Sequence, residues 1–244
     1  MRIPSLILLI CATLLAPVSA AEWQAGLASI SITPEKPAMM YGYASRIKPF
    51  ANVAQDLYAK ALVLADGQGR RAVIVTTDLG AMPGWFAESV ADRITAKTGL
   101  RREEILLSWS HNHAGPSLSN NPKAEGDVAP VDAENRVAYT RWLSDRLVGL
   151  VADAAARLES ATLSHGQGVV NFVMNRREFT PTGVILGVNP RGLVDRSVPV
   201  LRIAGPDGNL RAVLFGAACH NTTLGSRNYE LCGDYAGYAQ SALQ

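Results

Sequence analysis

The chain has 244 residues, a hydrophobic fraction of 48%, a charged fraction of 18% and a formal net charge of +2. This size and composition are typical of one large globular domain, or two small ones, with a buried core. The near-neutral charge excludes the extended basic surface that nucleic-acid binding requires.

The N-terminus has the three parts of a secretory signal peptide. Arg2 supplies the positive charge, residues 4–16 form an apolar run, and Val18-Ser19-Ala20 resembles a small-residue cleavage site. The alternative, a membrane anchor, would need a longer apolar span. Cys11 lies inside the apolar run, a position that does not fit a lipoprotein anchor.

We predict cleavage after Ala20, which separates a signal peptide (1–20) from a secreted or periplasmic region (21–244). No segment of this region is long enough to span a bilayer. The region keeps Cys219 and Cys232, which are too few for a disulfide scaffold. A single bridge between them is possible in an oxidising compartment.

The first predicted elements are a hairpin and a helix. Residues 58–65 and 71–78 are β-rich runs separated by an Asp-Gly turn, which predicts a β-hairpin. A helix ending near Gly99 follows, because apolar residues recur at helical spacing at Phe86, Val90 and Ile94. The apolar run 105–110 predicts a buried strand.

A long loop and a long helix come next. Residues 115–133 are rich in Pro, Gly, Ser and Asn and predict a loop. Residues 134–158 predict an amphipathic helix. Its expected apolar face contains Trp142, Leu143, Leu147, Leu150, Val151, Ala154 and Leu158.

Three strands and a final helix complete the pattern. The strands are expected at 161–173, 197–204 and 210–218, and a helical segment at 234–244 runs to Gln244 without a capping signal. Mixed strands and helices predict an α/β fold, a layered domain with a mixed β-sheet flanked by helices.

Two of the four histidines lie close together in the stretch SWSHNHAGP, directly after a predicted strand. In extended backbone, side chains two residues apart point to the same side, so His111 and His113 can converge on one site. Such a pair often begins a metal site but has low specificity by itself. The alternative is a pair of loop residues held by backbone carbonyls.

A third histidine strengthens the metal interpretation. His220 follows the predicted strand 210–218, and strand ends in α/β sheets gather functional residues at one rim. Asp78 ends another strand. It is a candidate either to orient a metal-binding histidine without contacting the metal, or to serve as a carboxylate ligand itself. Capping of the following helix is an equal alternative for Asp78. His165 lies in mid-strand and is expected to be structural.

Several other enzyme classes are excluded by their missing motifs. The metallo-β-lactamase pattern His-x-His-x-Asp-His fails, because Gly115 and Pro116 occupy its last two positions. No G-x-S-x-G nucleophile elbow is present. No G-x-G-x-x-G sequence follows a strand, so nucleotide binding has little support.

In several motifs the chain resembles the N-terminal catalytic region of the neutral/alkaline non-lysosomal ceramidases, which are secreted zinc amidases. The resemblance extends from about Ala25 to Leu243. Its motifs, in order, are AGLASISITPE, MMYGYAS, VAQDLYAKALVLADG, VIVTTDLG, LLSWSHNHAGP, MNRREF, LFGAACHNTTL and CGDYAGYAQSAL. SHNHAGP and GAACHNTT are the most specific.

The resemblance implies that His111 and His220 are ligands of a Zn²⁺ cofactor. It implies that His113 contacts substrate or the attacking water and that Asn175 and Arg176 line the pocket. In the family, a glutamate and a tyrosine further along the chain complete the metal site, and a Gly-Asp-x-Ser/Thr-Pro-like loop adds a serine. The resemblance therefore implies that the α/β domain is incomplete at its C-terminus and that this chain is the first half of a longer protein. Residues 126–130 (GDVAP) look similar to that loop but precede His220 and lack the hydroxyl.

The function that the resemblance implies is zinc-dependent hydrolysis of the N-acyl amide bond of ceramide or a related lipid. His113 and Arg176 would steady the charge that develops on the carbonyl oxygen. A lipid substrate also leaves room for peripheral contact with a membrane surface. The alternatives are an exported metal-dependent hydrolase of another amide or ester, and an inactive truncated remnant. With only two ligands from this chain, we expect it to be inactive alone.

Overall fold

The computed structural model describes residues 23–121 and 130–244. The predicted signal peptide and most of the segment 126–130 therefore lie outside the described residues. The first half contains β1 (Trp23–Ser31), β2 (Asn52–Val53), β3 (Tyr58–Ala65), β4 (Arg71–Thr77), α1 (Gly84–Thr98), a 3₁₀ turn (Arg102–Glu104) and β5 (Ile105–Trp109). The second half contains α2 (Pro130–Ala155), β6 (Glu159–Val169), β7 (Asn175–Thr180), β8 (Gly183–Asn189), β9 (Ser197–Ala204), β10 (Leu210–Phe215), β11 (Glu230–Leu231) and α3 (Asp234–Ser241).

Seven strands form one mixed sheet in the order β10-β9-β6-β1-β3-β4-β5. Neighbouring strands are antiparallel, except that β4 and β5 run parallel and are connected through α1. Among the described residues, two smaller sheets pair β7 with β8 and β2 with β11. The predicted α/β class, with helices layered on a mixed sheet, is confirmed.

The main core lies between this sheet and the two long helices. Helix α2 packs on β1 and β3 and against α1. The fully buried side chains of this layer include Val63, Val75, Phe86, Ile94, Leu143, Leu147, Leu150 and Val151. The opposite face of the sheet carries a smaller apolar cluster centred on Ala25, Leu62 and Ile203, and it forms the floor of an open groove.

The predicted hairpin, the helix before Gly99 and the strand 197–204 are confirmed within one or two residues. Helix α1 ends where Gly99 adopts a φ of 68° and its N–H donates to Thr95 O, a common end for a helix. The predicted helix 134–158 begins earlier, at Pro130, and ends at Ala155. Proline is favoured at a first helical position because its missing N–H has no partner there.

Some boundaries and two burial predictions are wrong. The strand predicted to be buried at 105–110 is β5 (Ile105–Trp109), which lies at the edge of the sheet, and its Leu106 is 56% exposed. The strand predicted at 210–218 ends at Phe215, which pairs with Val200. The next residue of β9, Pro199, has no N–H to continue the ladder. The strand predicted at 161–173 ends at Val169, where its partner β9 begins. Helix α3 ends at Ser241 rather than 244. Trp142 is 38% exposed and contacts Tyr139 at the helix surface instead of the core.

Both cysteines of the described chain are free thiols. Cys232 is buried and Cys219 is half-buried, so the possible bridge between them is not formed. Within residues 23–121 and 130–244, no helix combines the length and the apolarity that crossing a bilayer needs.

Candidate metal centre

The parallel pair β4–β5 positions the first histidine. Both strands end at the same edge of the sheet, and the segments that follow them run side by side. Ser110 N donates to Thr77 O, and Asn112 N donates to Leu79 O. His111 has a φ of 55°, a left-handed conformation that non-glycine residues seldom adopt and that is concentrated at functional sites. The His111 ring is thereby turned inward from the strand end.

Backbone contacts fix the orientation of the His111 ring. Its Nδ1 lies 2.7 Å from the carbonyl oxygen of Gly80. A carbonyl only accepts hydrogen bonds, so Nδ1 carries the proton and Nε2 presents a lone pair. Metal-binding histidines commonly have this arrangement, in which a carbonyl behind the ring selects the tautomer.

The three histidines predicted from sequence converge. His111 Nε2 lies 3.2 Å from His220 Nε2 and 3.4 Å from His113 Nε2. Nitrogens held around zinc in a tetrahedron, at about 2.0–2.1 Å from the metal, are separated by about 3.3–3.4 Å. Among the described residues these histidines are the group whose donor atoms, all within 4.8 Å of one another, suit a metal ion. The donor set therefore fits zinc.

His113 occupies a tighter environment than its neighbours. It is 8% exposed, and the rings of Tyr41 and Tyr43 meet its ring edge-on. Gly42 has a φ of 105° and lies so close that a Cβ there would be 2.2 Å from His113 Nδ1. Nδ1 is buried and has no hydrogen-bond partner among the described residues.

Burial and nearby positive charge disfavour a second proton on His113. The pKa of His113 is lowered to about 4, chiefly by desolvation, and then by His111, His220 and Arg46. The pKa of the more exposed His220 is also lowered, by burial first and by His111 second. Burial thus favours the neutral form of both rings, the state in which imidazole binds metals.

His220 reaches the cluster by a route that the strand-end argument did not foresee. Strand β10 lies at the opposite edge of the sheet from β5 and runs antiparallel to it, as the successive pairings require. The segment after β10, residues 216–219, instead lines the groove over the open sheet face. His220 thus meets His111 by crossing this face, not by sharing a rim of parallel strands.

Two buried asparagines hold the histidine loops together, and sequence reasoning missed both. Asn112 Nδ2 donates to Asp78 O and Cys232 O, while its Oδ1 accepts from Ala114 N. Asn221 Nδ2 donates to Gly233 O. The carbonyl of Asn221 accepts from His113 N. Each asparagine directly follows a histidine in the sequence, as His-Asn, and this repeated dipeptide was the one signal for them.

Arg46 and Asp234 also support the loops and were not predicted. The Arg46 guanidinium is buried and donates to the carbonyls of Tyr41 and His113. The carboxylate of Asp234 accepts from the backbone N–H groups of Thr223 and Leu224, just after His220. These contacts satisfy buried backbone groups, and so fix the loops that carry the imidazoles.

Asp78 lies close to the centre without joining it. Its Oδ2 accepts from Tyr58 N, and its Oδ1 accepts from Gln240 Nε2. Burial raises the pKa of the Asp78 carboxyl, and the hydrogen bonds from Tyr58 and Gln240 oppose that rise. Its carboxylate does not bond to a histidine ring. Instead, its main-chain carbonyl holds Asn112, so its connection to the histidines is indirect.

The remaining predicted residues lie apart from the cluster. Asn175 and Arg176 begin β7, and Arg176 Nε donates to Gly187 O on the paired strand β8. Arg176 is exposed, and neither residue lines the groove that contains His111 and His220. His165 pairs with Leu201 within the main sheet and is exposed. Their predicted roles, in the pocket for Asn175 and Arg176 and in structure for His165, stay predictions.

The groove beside the histidines has a volume of about 1190 Å³. His111 and His220 lie along it, and its floor includes apolar side chains of the open sheet face, among them Leu27, Leu62, Ile74 and Leu214. A smaller cleft of about 420 Å³ between α1 and α2 contains none of the histidines. Of these two cavities, the larger is the one that contains His111 and His220.

Comparison with known proteins assigns the class to which this fold and site belong. A family model described as neutral/alkaline non-lysosomal ceramidase, N-terminal, matches residues 23–244, and the chain belongs to this family. It is 26% identical to neutral ceramidase A of Dictyostelium discoideum over 230 residues, covering 89% of this chain and 31% of that protein. It is 24% identical to the neutral ceramidase of Drosophila pseudoobscura pseudoobscura, covering 93% of this chain and 33% of that protein.

Solved structures share the fold. The crystal structure of neutral ceramidase from Pseudomonas aeruginosa superposes with a TM-score of 0.71 at 24% identity, over 90% of this chain and 35% of that one. A structure described as ceramidase complexed with C2 gives a TM-score of 0.72 at 25% identity, over 90% of this chain and 34% of that one. The chain thus spans about a third of the length of these relatives.

Proposed function

We propose that this chain forms part of a zinc-dependent amidohydrolase that cleaves the N-acyl amide bond of ceramide or a related lipid. The observation that carries the proposal is the 3.2 Å separation of His111 Nε2 and His220 Nε2, with His113 Nε2 beside them, in a member of the neutral ceramidase family. The relatives named above as neutral ceramidases support the substrate class.

His111 and His220 are the residues that would hold the metal. The carbonyl behind His111 leaves its Nε2 free to coordinate, and this atom is 3.2 Å from His220 Nε2. A bound zinc ion supplies a Lewis acid and a water of lowered pKa. A catalytic zinc site takes three protein ligands, so with His113 in another role these two histidines belong to a longer enzyme that adds further donors.

The enclosed Nδ1 of His113 supports a role for this residue beside the metal. A proton on Nδ1 would be buried with no acceptor among the described residues, which is costly. The neutral ring therefore carries its proton on Nε2, directed toward His111 and His220. This N–H would donate to the carbonyl oxygen of the amide as negative charge develops there.

The groove supports a lipid substrate. An amide carbonyl placed at His111 and His220 leaves the acyl chain free to lie along the apolar floor formed by the open sheet face. Burial of each methylene contributes about 0.8 kcal/mol, so this contact alone can select long-chain substrates. Export by the predicted signal peptide would place the enzyme in the periplasm or the medium.

The test is hydrolysis of an N-acyl sphingoid substrate beside a panel of other amides and esters. The protein is the chain to Gln244 and, where the reading frame continues, the extended chain. We expect the extended chain to release fatty acid from the N-acyl lipid, and chelation or His111→Ala to abolish release, whereas His165→Ala retains it. Cleavage of only the other substrates would reject the substrate class. No metal-dependent cleavage by the longest encoded chain would reject the enzyme.

A further inference from the structure

Exposed large apolar side chains are concentrated in one short part of the molecule, residues 169–193. They include Val169, Phe172, Met174, Phe179, Val184, Ile185, Leu186, Val188 and Leu193, each between 43% and 96% exposed. Most of them lie on the two-stranded sheet β7–β8, hereafter the apolar hairpin (175–189). A lone hairpin is only marginally stable in water, and contiguous exposed apolar surface marks an interaction site.

The apolar and basic residues of this hairpin are ordered along its length. Phe179 pairs with Val184 next to the turn, where Thr180 pairs with Gly183. Toward the base, Arg177 pairs with Leu186. Arg191 follows the end of β8 and is exposed. The hairpin thus has an apolar tip and a basic neck.

Among the described residues, the acidic residue of the hairpin forms no salt bridge with the arginines of the neck. Glu178 turns its carboxylate back along the strand, where Oε2 accepts from Val188 N. Arg177 and Arg191 make no salt bridge among the described residues. Their positive charge is therefore free to meet an anionic surface.

The base of the hairpin is attached to the part of the molecule that carries His220. Val173 is buried, and the Phe172 ring contacts the ring of Tyr235 at an interplanar angle of 60°. The Tyr235 hydroxyl donates to Cys219 O, next to His220. These contacts fix the hairpin relative to His220. A surface that binds the tip would therefore have a defined orientation relative to the candidate metal centre.

We propose that the apolar hairpin docks this protein on the surface of an anionic lipid bilayer. Phe179 and Val184 at the tip, and Leu186 opposite Arg177, enter the boundary between headgroups and acyl chains, and Arg177 and Arg191 contact lipid phosphates. Charge complementarity with anionic headgroups selects this occupant. Membrane docking goes beyond the proposed amidase function and requires no catalysis. A failure of vesicle binding can therefore be distinguished from a failure of lipid hydrolysis.

The experiment is flotation with vesicles of phosphatidylcholine, with and without phosphatidylglycerol. The protein is purified after export, and mass spectrometry verifies that the apolar leader is absent. We expect binding only with the anionic lipid. Phe179→Ser with Leu186→Ser should weaken partitioning by about tenfold or more. Arg177→Gln with Arg191→Gln should weaken it by about fivefold per arginine, and high salt should act like the arginine change.

The matched control is Ile47→Ser, which removes an apolar side chain that is 64% exposed but lies outside the hairpin; it should bind like the unmodified protein. Circular dichroism verifies the fold of each variant. Val184→Trp gives a second measurement, since its added emission should shift to the blue only with anionic vesicles. The proposal is overturned if the unmodified protein does not bind, or if the hairpin variants bind as well as the control. The proposal is also overturned if the hairpin instead mediates self-association of the chain in solution.

Discussion

At the scale of single residues, the cradle around His113 depends on a glycine. Gly42 has a φ of 105°, and a Cβ at this position would lie 2.2 Å from His113 Nδ1. The backbone can therefore close over the imidazole only where no side chain intervenes. The histidine was recognisable in the sequence, but the glycine opposite it was not, because nothing local links residues 42 and 113.

This contact leads to a prediction with an internal control. Gly42→Ala should destabilise the protein by clearly more than Gly69→Ala. Gly69 also has a positive φ, of 78°, but a Cβ there meets nothing within 4 Å. Gly69→Ala should therefore cost only about 1–2 kcal/mol of backbone strain, whereas Gly42→Ala must also displace the His113 ring. Urea unfolding of both variants measures the difference, and equal losses would contradict the close approach.

Asp78 should give the protein a distinct dependence of stability on pH. Burial raises its folded pKa above the unfolded value. Its contribution to stability is therefore fully present below the unfolded pKa of about 3.9, and it is lost as pH rises through the folded pKa. Asp78→Asn does not titrate, so the unfolding free energy of the native protein minus that of this variant should be larger at acid than at neutral pH. A difference that is constant with pH, or larger at neutral pH, would show that the folded pKa of Asp78 is not raised.

At the scale of elements, the predictable parts were those with local patterns. The hairpin β3–β4 and the spacing of Phe86, Val90 and Ile94 on α1 identify themselves within a few residues. Strand β1, at the centre of the sheet, was not predicted, because WQAGLASIS is built largely of small residues without a β-rich alternation. The β7–β8 hairpin was also missed as structure, and its polar first strand NRREFT explains why.

The two loops that carry the histidines are both held by the segment 232–233. Asn112 in the first loop donates to Cys232 O, and Asn221 in the second donates to Gly233 O. Asn112→Ala would leave the carbonyls of Asp78 and Cys232 and the N–H of Ala114 without their partner. We expect a loss of about 2–4 kcal/mol in unfolding free energy, and weaker metal binding. Asn209→Ala, at an exposed turn, should change stability by less than about 0.5 kcal/mol. If the two variants melt alike, Asn112 does not position the loops.

At the scale of the whole molecule, the convergence of His111 and His220 was predicted correctly, but the strand-end argument explains only the position of His111. His111 does leave a strand at the shared edge of the parallel pair β4–β5. His220 was expected at the same rim, but β10 lies at the far edge of the sheet and runs the other way. Strand order is a non-local property that no short motif reveals. The resemblance of SHNHAGP and GAACHNTT to the ceramidases predicted the pairing more directly than the strand argument did.

The account as a whole depends on whether His111 and His220 share one metal ion. The most direct measurement is zinc affinity of the exported, untagged chain, obtained by competition with a chromophoric chelator and verified by elemental analysis. We predict one zinc per chain. His111→Ala and His220→Ala should each weaken binding by more than about 100-fold, beyond the cost of removing a residue that only orients a ligand. His165→Ala should leave the affinity unchanged. Equal zinc affinity in all three variants would contradict the central claim.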